Sequence, residues 1–394
     1  MVKKRLTFLG TLYPDDAILQ LLEDTIGNLS FAGDTYQKAL LKGFEDKRDV
    51  RVFSALQIGS FPKRFKRLDL SLYTKYSDNK IKIVPYFNLT FFKTFSIKYH
   101  LTKCLKKITF EKGEEIIVYS MDYSLIASAV TIKKQYPNVH IHLIITDICE
   151  YMSPGKFAKI INKFWQKKIM KMFSYVDSFT VMTRYMIDKL NINKPCAIVE
   201  GINNMVFKKY SCTKNRETFI VLYTGTLEKR YGIIHLLNSF NLLPTTDNYQ
   251  LWICGNGDAK ELVEELAKKD SRIKYYGLIP REKVLKLQQE ADLLINPRFS
   301  TDEYTLYSFP SKTIEYMLSS TPVLMHRLPG IPDEYEPYIF YGDDESDEGF
   351  AKKIYEISQM DRDVLRNKGE LAKTFIIENK NCYKQVEKII EVLK

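Results

Sequence analysis

Residues 308–324 read SFPSKTIEYMLSSTPVL, and two periodicities meet inside them. Ile314, Met317 and Leu318 recur at helical spacing and would face a core, whereas Thr321 to Leu324 read as a buried strand. Lys312 and Glu315 fit neither description. Three residues apart, they share one face of the helix's first turn, where free backbone N–H groups and partial positive charge suit an anion such as a phosphate. A lysine–glutamate pair at this spacing is, taken alone, an ordinary solvated ion pair. The stretches around it supply the rest.

Upstream, strand-like and helical runs alternate: FIVLYTG (219–225), a helix over 231–241, YQLWICG (249–255), 257–269, RIKYYG (272–277), 281–290, DLLINP (292–297), 311–319 and TPVLMH (321–326). The first half repeats the pattern with RLTFLG (5–10), RVFSAL (51–56), IKIVPYF (81–87), EIIVYS (115–120), HIHLIIT (140–146) and SFTVMT (178–183), separated by helical stretches such as 34–45, 92–107 and 122–136. Between the two ladders lies the aperiodic, polar FKKYSCTKNRET (207–218). Such alternation predicts an α/β fold with two parallel sheets, each flanked by helices, as two Rossmann-like domains facing a cleft. Their boundaries read as 1–200, a linker over 201–217, 218–375, and a C-terminal helix over 376–394 whose packing partner the sequence does not name. Glu200, Gly201 and Ile202 are the expected hinge. Ligands of these sheets bind beyond the carboxyl ends of the strands.

A chain of 394 residues with 45% hydrophobic and 13% aromatic content builds two ordinary globular domains. No apolar run is long enough to span a bilayer. The opening MVKKRLTFLGTLYPDD meets Asp15 and Asp16 too soon for a signal peptide and reads as a first strand. The six cysteines are scattered without a C-x-x-C pair, so neither a metal site nor a disulfide framework is expected, and reduced thiols in a cytoplasm are. His140 and His142 share a strand face with no further ligand nearby, which reads as an ordinary strand. Charge is uneven: residues 1–200 carry 32 Lys and Arg against 19 Asp and Glu, and the remainder 27 against 29. A basic first half favours an anionic surface.

Four loops of the second half follow successive strands. Gly225 permits a tight turn in YTGTLEKRYG (223–232), beside Lys229 and Arg230. CGNGD (254–258) brings two glycines, including Gly255, where a ligand would approach backbone. GLIP (277–280) carries Ile279. NPRFSTDEYTLYSFPSK (296–312) is bracketed by Arg298 and Lys312, with Ser311 at its end. Cations for phosphate and a carboxylate for ribose hydroxyls together suggest a nucleotide diphosphate. Glu315 beside a phosphate is repelled unless it faces hydrogen-bond donors, and a ribose diol supplies them.

YTGTLEKRYGI, LWICGNGD, IKYYGLIP and above all YSFPSKTIEYMLSSTPVL, taken in this order and spacing, resemble the donor domain of retaining glycosyltransferases of family 4, of the polysaccharide-assembling kind, which have the GT-B fold. The resemblance implies Lys312 on the donor's diphosphate, Glu315 on its ribose, and the GLIP loop on its base. Three positions depart from it. The family often has two glutamates separated by seven residues, and Tyr307 stands at the earlier one. Its Gly-Arg pair is Gly225-Thr226 here, and its downstream lysine is Tyr231, which leaves Arg230 or Arg298 as the substitute cation.

In the first half, Gly33 precedes a predicted helix and would bring amides near the donor phosphates, or is a plain turn glycine. Asp147 stands where the family commonly has a histidine and would orient or deprotonate an acceptor hydroxyl, or caps a helix. In GKFAKIINKFWQKKIMKMFSY (155–175), Lys156, Lys159, Lys163 and Lys167 form a basic stripe beside Trp165, which suits a helix against anionic lipid or a solvated surface helix. FPKRFKRLDL (61–70) adds a second basic, aromatic patch. The expected protein is a cytoplasmic glycosyltransferase, peripheral at the inner face of the cell membrane. It would use a nucleotide-diphosphate sugar as substrate, a lipid-linked or growing saccharide as acceptor, no metal, no further cofactor and no nucleic acid. An epimerase of the same fold and a non-catalytic partner of another transferase are the rivals. The basic helix argues against the first and intact Lys312 and Glu315 against the second.

Overall fold

The computed structural model describes residues 3–393 except 28, 30, 79, 91, 152–155, 205–206, 211–216 and 246–247, and for 156–159 the backbone alone. The chain splits into two compact units, Met1–Asn204 with Cys382–Lys394, and Met205–Asn381.

The first unit holds strands β1 (Lys4–Gly10), β2 (Arg48–Ser54), β3 (Ile81–Ile83), β4 (Glu115–Tyr119), β5 (His140–Ile145), β6 (Ser178–Val181) and β7 (Cys196–Ile198). They form one parallel sheet in the order β3-β2-β1-β4-β5-β6-β7. Its helices are α1 (Ile18–Asp24), α2 (Ala32–Lys47), α3 (Lys93–Leu105), α4 (Tyr123–Gln135), α5 (Lys156–Met170) and α6 (Tyr185–Lys189). The second unit holds β8 (Phe219–Thr224), β9 (Tyr249–Cys254), β10 (Ile273–Gly277), β11 (Leu293–Asn296), β12 (Val323–Met325) and β13 (Phe340–Tyr341), again all parallel, in the order β10-β9-β8-β11-β12-β13. Its helices are α7 (Ile233–Asn241), α8 (Lys260–Lys269), α9 (Arg281–Glu290), α10 (Lys312–Leu318), α11 (Asp347–Ser358) and α12 (Arg362–Asn379). Strands β8 and β4 are buried along their whole length, as parallel strands covered on both faces must be.

The last helix, α13 (Cys382–Val392), returns to the first unit. Val386, Ile389 and Leu393 join Leu40, Leu41 and Phe44 of α2 in its core. The helices meet at Gly43, where an added Cβ would lie 2.4 Å from the Cys382 carbonyl oxygen and 2.6 Å from Val386 Cγ2. The apolar positions of the terminal helix thus find the partner that the sequence left unnamed. The division between units falls after residue 204. Glu200 and Gly201 are buried within the first unit, and the Gly201 carbonyl accepts a 2.7 Å hydrogen bond from Gln385 of α13.

Both sheets reverse their strand order once, between β1 and β4 in the first unit and between β8 and β11 in the second. The carboxyl ends of such a pair leave a crevice in which open α/β sheets hold ligands.

Candidate functional site

In the second unit the crevice is bounded by the loops after β8, β9 and β11, and glycines let their backbones touch. Gly255 has φ 142°, and a Cβ there would lie 1.8 Å from the Gly225 carbonyl oxygen. Gly232, left-handed at φ 80°, would place a Cβ 1.9 Å from the Pro297 carbonyl oxygen. The Gly225 amide donates to the Cys254 carbonyl at 3.0 Å, and the Gly255 amide to Gly277 at 2.9 Å. Thr226 follows exposed, its carbonyl accepting from the Tyr223 hydroxyl at 2.7 Å.

Helix α10 faces this crevice. The Lys312 Nζ lies 3.0 Å from Glu315 Oε1, and the Lys312 Cε would meet a Cβ on Gly225 at 3.9 Å. Glu315 is nearly buried. The Gln288 amide donates to Glu315 Oε1 at 2.9 Å and to the Thr224 hydroxyl at 3.0 Å, while Arg281 reaches Glu315 Oε2 at 3.2 Å. Burial opposes ionisation of this carboxyl. The Lys312 ammonium, with the Gln288 amide and the Arg281 guanidinium, overcomes that and holds it below the ordinary carboxylate range. Pair and network make a fixed, ionised acceptor rather than a loose surface contact. Behind it the Tyr316 hydroxyl donates to the Thr224 carbonyl and accepts from the Thr224 amide, each at 2.8 Å, tying α10 to the end of β8. Ser311 precedes α10 exposed, its hydroxyl making no capping bond, and neither its amide nor that of Lys312 donates within the described residues.

Tyr231 organises the cations. The Arg298 guanidinium stacks over its ring at 4.2 Å, and the Arg230 guanidinium lies 4.8 Å from the same ring. Arg230 is also paired with Glu228 at 2.5 Å. Arg298 has no carboxylate partner among the described residues. Burial pushes the nearby Tyr223 hydroxyl up to about 12, against the pull of Arg298. Ile279 is half-buried and its amide donates to no described acceptor, with Leu278 largely exposed beside it. Tyr307 closes a short 3-10 turn, Glu303–Tyr307, and is half-buried.

Gln288 and Arg281 were not singled out in the sequence, and Tyr231 was noted only as standing in place of the family's lysine. Arg281 and Gln288 stand seven residues apart, on one face of α9, and no local pattern in the sequence marks their meeting with Glu315.

In the first unit, Gly33 lies inside α2, one residue after its start, rather than before it. Its amide is nonetheless in the first turn and donates to no backbone carbonyl. A Cβ there would lie 3.3 Å from the Tyr119 hydroxyl. Asp147 follows β5 with its side chain at the surface, and the surrounding protein still raises its carboxyl above the usual range, the Thr146 hydroxyl pulling the other way. His142 is buried and its ring nitrogens meet the Ser178 and Thr180 hydroxyls at 2.7 and 2.8 Å. Of the basic stripe on α5, Lys163 and Lys167 are exposed and Trp165 is half-buried; the Lys156 and Lys159 side chains lie outside the described residues. In the patch at 61–70 Phe65 is fully buried and Arg67 pairs with Asp24, while Lys63, Arg64 and Lys66 are exposed.

Residues 207–381, nearly the whole second unit, match the family model described as Glycosyl transferases group 1. The second unit thus resembles the group 1 glycosyltransferases. Among curated proteins the chain is 24% identical over 212 residues to O-antigen chain mannosyltransferase B of Escherichia coli, a match that spans 52% of each chain. It thus covers about half the length of that relative. Among solved structures, sucrose-phosphate synthase of Thermosynechococcus elongatus superposes with a TM-score of 0.67 at 15% identity, over 99% of this chain and 98% of that one. HepE of Anabaena, in complex with UDP, superposes at 0.64 and 13% identity over 99% of each chain. These likenesses show the two-domain GT-B fold.

Proposed function

We propose that the protein is a group 1 glycosyltransferase that moves a sugar from a nucleotide-diphosphate donor to a hydroxyl of a lipid-linked or growing saccharide in polysaccharide or glycoconjugate assembly. The observation that carries the reading is Glu315, nearly buried, held ionised, and set 3.0 Å from Lys312 at the strand-order reversal of the second sheet. A carboxylate so placed accepts from a vicinal diol, and the cation beside it takes a phosphate.

In this reading Glu315 binds the donor ribose, Lys312 and Ser311 the diphosphate, and the backbone around Ile279 the base. Arg298, stacked but not ion-paired among the described residues, is the better substitute for the missing family cation; Arg230 is already offset by Glu228. The open turns at Gly225, Thr226 and Gly255 leave room for the phosphates. The bond between the anomeric carbon and the diphosphate oxygen breaks with retention, the acceptor oxygen takes its place, and its proton passes to Asp147. Negative charge developing on the leaving diphosphate is stabilised by Lys312 and Arg298, so activity persists in EDTA. Lys163, Lys167 and Trp165 of α5, with Lys156 and Lys159, hold the enzyme to an anionic membrane on the cytoplasmic side.

The UDP bound by HepE and the name of the Escherichia coli relative support a nucleotide-sugar donor and a polysaccharide product. The test is thermal shift against a panel of nucleotide diphosphates and their sugars, with Glu315→Ala alongside. Stabilisation by one base, lost in the variant, supports the donor site. No shift with any nucleotide sinks it and favours a non-catalytic partner of another transferase.

A further inference from the structure

Two stretches of the first unit contain no carboxylate: none lies between Asp78 and Glu111, or between Glu150 and Asp177. The first contains α3 and the second α5, and the fold brings them together. Trp165 of α5 packs 4.9 Å from the ring of Tyr123, at the start of α4, and 6.4 Å from Phe95 of α3. Around this cluster the apolar side chains face outward. Phe92, Phe95 and Tyr99 are 63%, 56% and 64% exposed, and Ile160 and Phe164 on α5 are 67% and 52% exposed. Monomeric proteins seldom leave so many large apolar groups together in water. Lysines edge the cluster: Lys98 lies 6.0 Å above the Tyr123 ring, and Lys168 lies 4.6 Å above Phe164 and 5.5 Å above Trp165. Their stems cover the rings and their ammonium groups reach outward, the arrangement of a side chain at a boundary between apolar and polar layers.

We propose that α3 and α5 form a single docking face for an anionic lipid bilayer, with Phe92, Phe95 and Tyr99 as the anchors that enter the headgroup region. This rests on the membrane reading of α5 above and extends it to a second helix that carries most of the aromatic insertion. Apolar insertion together with lysines, on two helices that carry no carboxylate of their own, matches a surface of anionic lipid, where each adds to the other. A soluble acidic protein would satisfy the lysines and leave three aromatic rings without a layer to enter.

The face also has a definite place relative to the sheet. Phe92 and Tyr123 stand at the starts of helices that follow β3 and β4, and so lie at the carboxyl end of the first sheet. The Cys149 thiol, two residues beyond Asp147, contacts the Met121 carbonyl at 3.6 Å, two residues before Tyr123. A bilayer on this face therefore meets the end of the sheet that carries Asp147, and an acceptor tethered to lipid is delivered there.

The chain's two tryptophans make the test direct. In full-length protein carrying Trp252→Phe, Trp165 is the only tryptophan and its emission reports the face. With phosphatidylcholine vesicles containing about a third phosphatidylglycerol, its emission should shift to the blue and be quenched by brominated acyl chains; pure phosphatidylcholine should do neither. The triple variant Phe92→Ser, Phe95→Ser, Tyr99→Ser should lose vesicle affinity at least about tenfold, with its melting temperature and nucleotide-induced shift retained. Parental affinity in the triple variant, with loss in Lys163→Gln, Lys167→Gln, would overturn the role of α3 and leave the α5 reading standing. If the parent binds neither vesicle, both fall together. Equal binding to neutral vesicles would remove the anionic lipid, and a concentration-dependent dimer abolished by the triple variant would assign the face to a second copy of the chain.

Discussion

The two sheets reverse their strand order in the same way, yet their carboxyl ends are built from different materials. In the second unit the loops meet backbone to backbone, with Gly255 against Gly225 and Gly232 against Pro297. In the first unit the corresponding glycines meet side chains: Gly10 faces Gln37 and Phe8, and Gly33 faces the Tyr119 hydroxyl. Backbone cannot move aside, whereas the end of a side chain can. The second crevice is therefore fixed by its glycines and the first is open to change of its lining.

The largest effect expected from this contrast is on folding. Gly255→Ala must displace a carbonyl 1.8 Å away at φ 142°, and should cost about 3 kcal/mol or more in urea unfolding of the second unit. Gly33→Ala meets only side-chain ends, the Tyr119 hydroxyl at 3.3 Å and Gln57 Oε1 at 3.5 Å, which need give by a few tenths of an ångström, and should change stability by less than about 1 kcal/mol. Equal effects of the two substitutions would erase the distinction.

Lys312→Ala should weaken nucleotide diphosphate binding by about ten- to a hundredfold in calorimetry, on the scale of one lost charge-assisted contact. Lys93→Met in the first unit should leave it unchanged. A smaller loss follows Gln288→Leu, which removes the amide shared by Glu315 and Thr224. About 1–3 kcal/mol of stability should go with it, together with part of the ribose recognition.

The weakest effects are in pH dependence, and their signs differ between the units. Glu315 has a folded-state value below its ordinary 4.5. Its contribution is complete above that pH and disappears as pH falls through the folded value, so Glu315→Gln should flatten the acid limb of the melting curve. Lys93 is held down to about 8 by burial, with Asp122 opposing. The cost of its charge is full below pH 8 and is relieved as pH rises toward 10.5. Melting temperature should rise across that window, and Lys93→Met should remove the rise.

The same contrast explains what could be read without coordinates. The alternation of buried runs and amphipathic helices specified both ladders, because strands covered on both faces leave little choice of residue. Lys312 and Glu315 were legible because their spacing and their place after a strand are properties of the sequence itself. Gln288 and Arg281 were not, since they reach Glu315 from another helix and nothing local marks the encounter. At 61–70 the basic run is exposed at Lys63, Arg64 and Lys66, but Asp24, distant in sequence, takes Arg67 while Phe65 enters the core. The face shared by α3 and α5 was half visible for a like reason: the stripe on α5 is periodic, whereas its junction with Phe95 depends on tertiary packing.

The return of α13 to α2 sets a schedule for synthesis. The second unit is continuous in sequence and can close as soon as its own residues have emerged from the ribosome. The first unit, although begun earlier, lacks Val386, Ile389 and Leu393 until the second unit has been translated, and the apolar side of α2 at Leu40, Leu41 and Phe44 waits for them. The unit begun first is thus completed second, and in the interval the uncovered face of α2 is apolar surface open to chaperones and to aggregation.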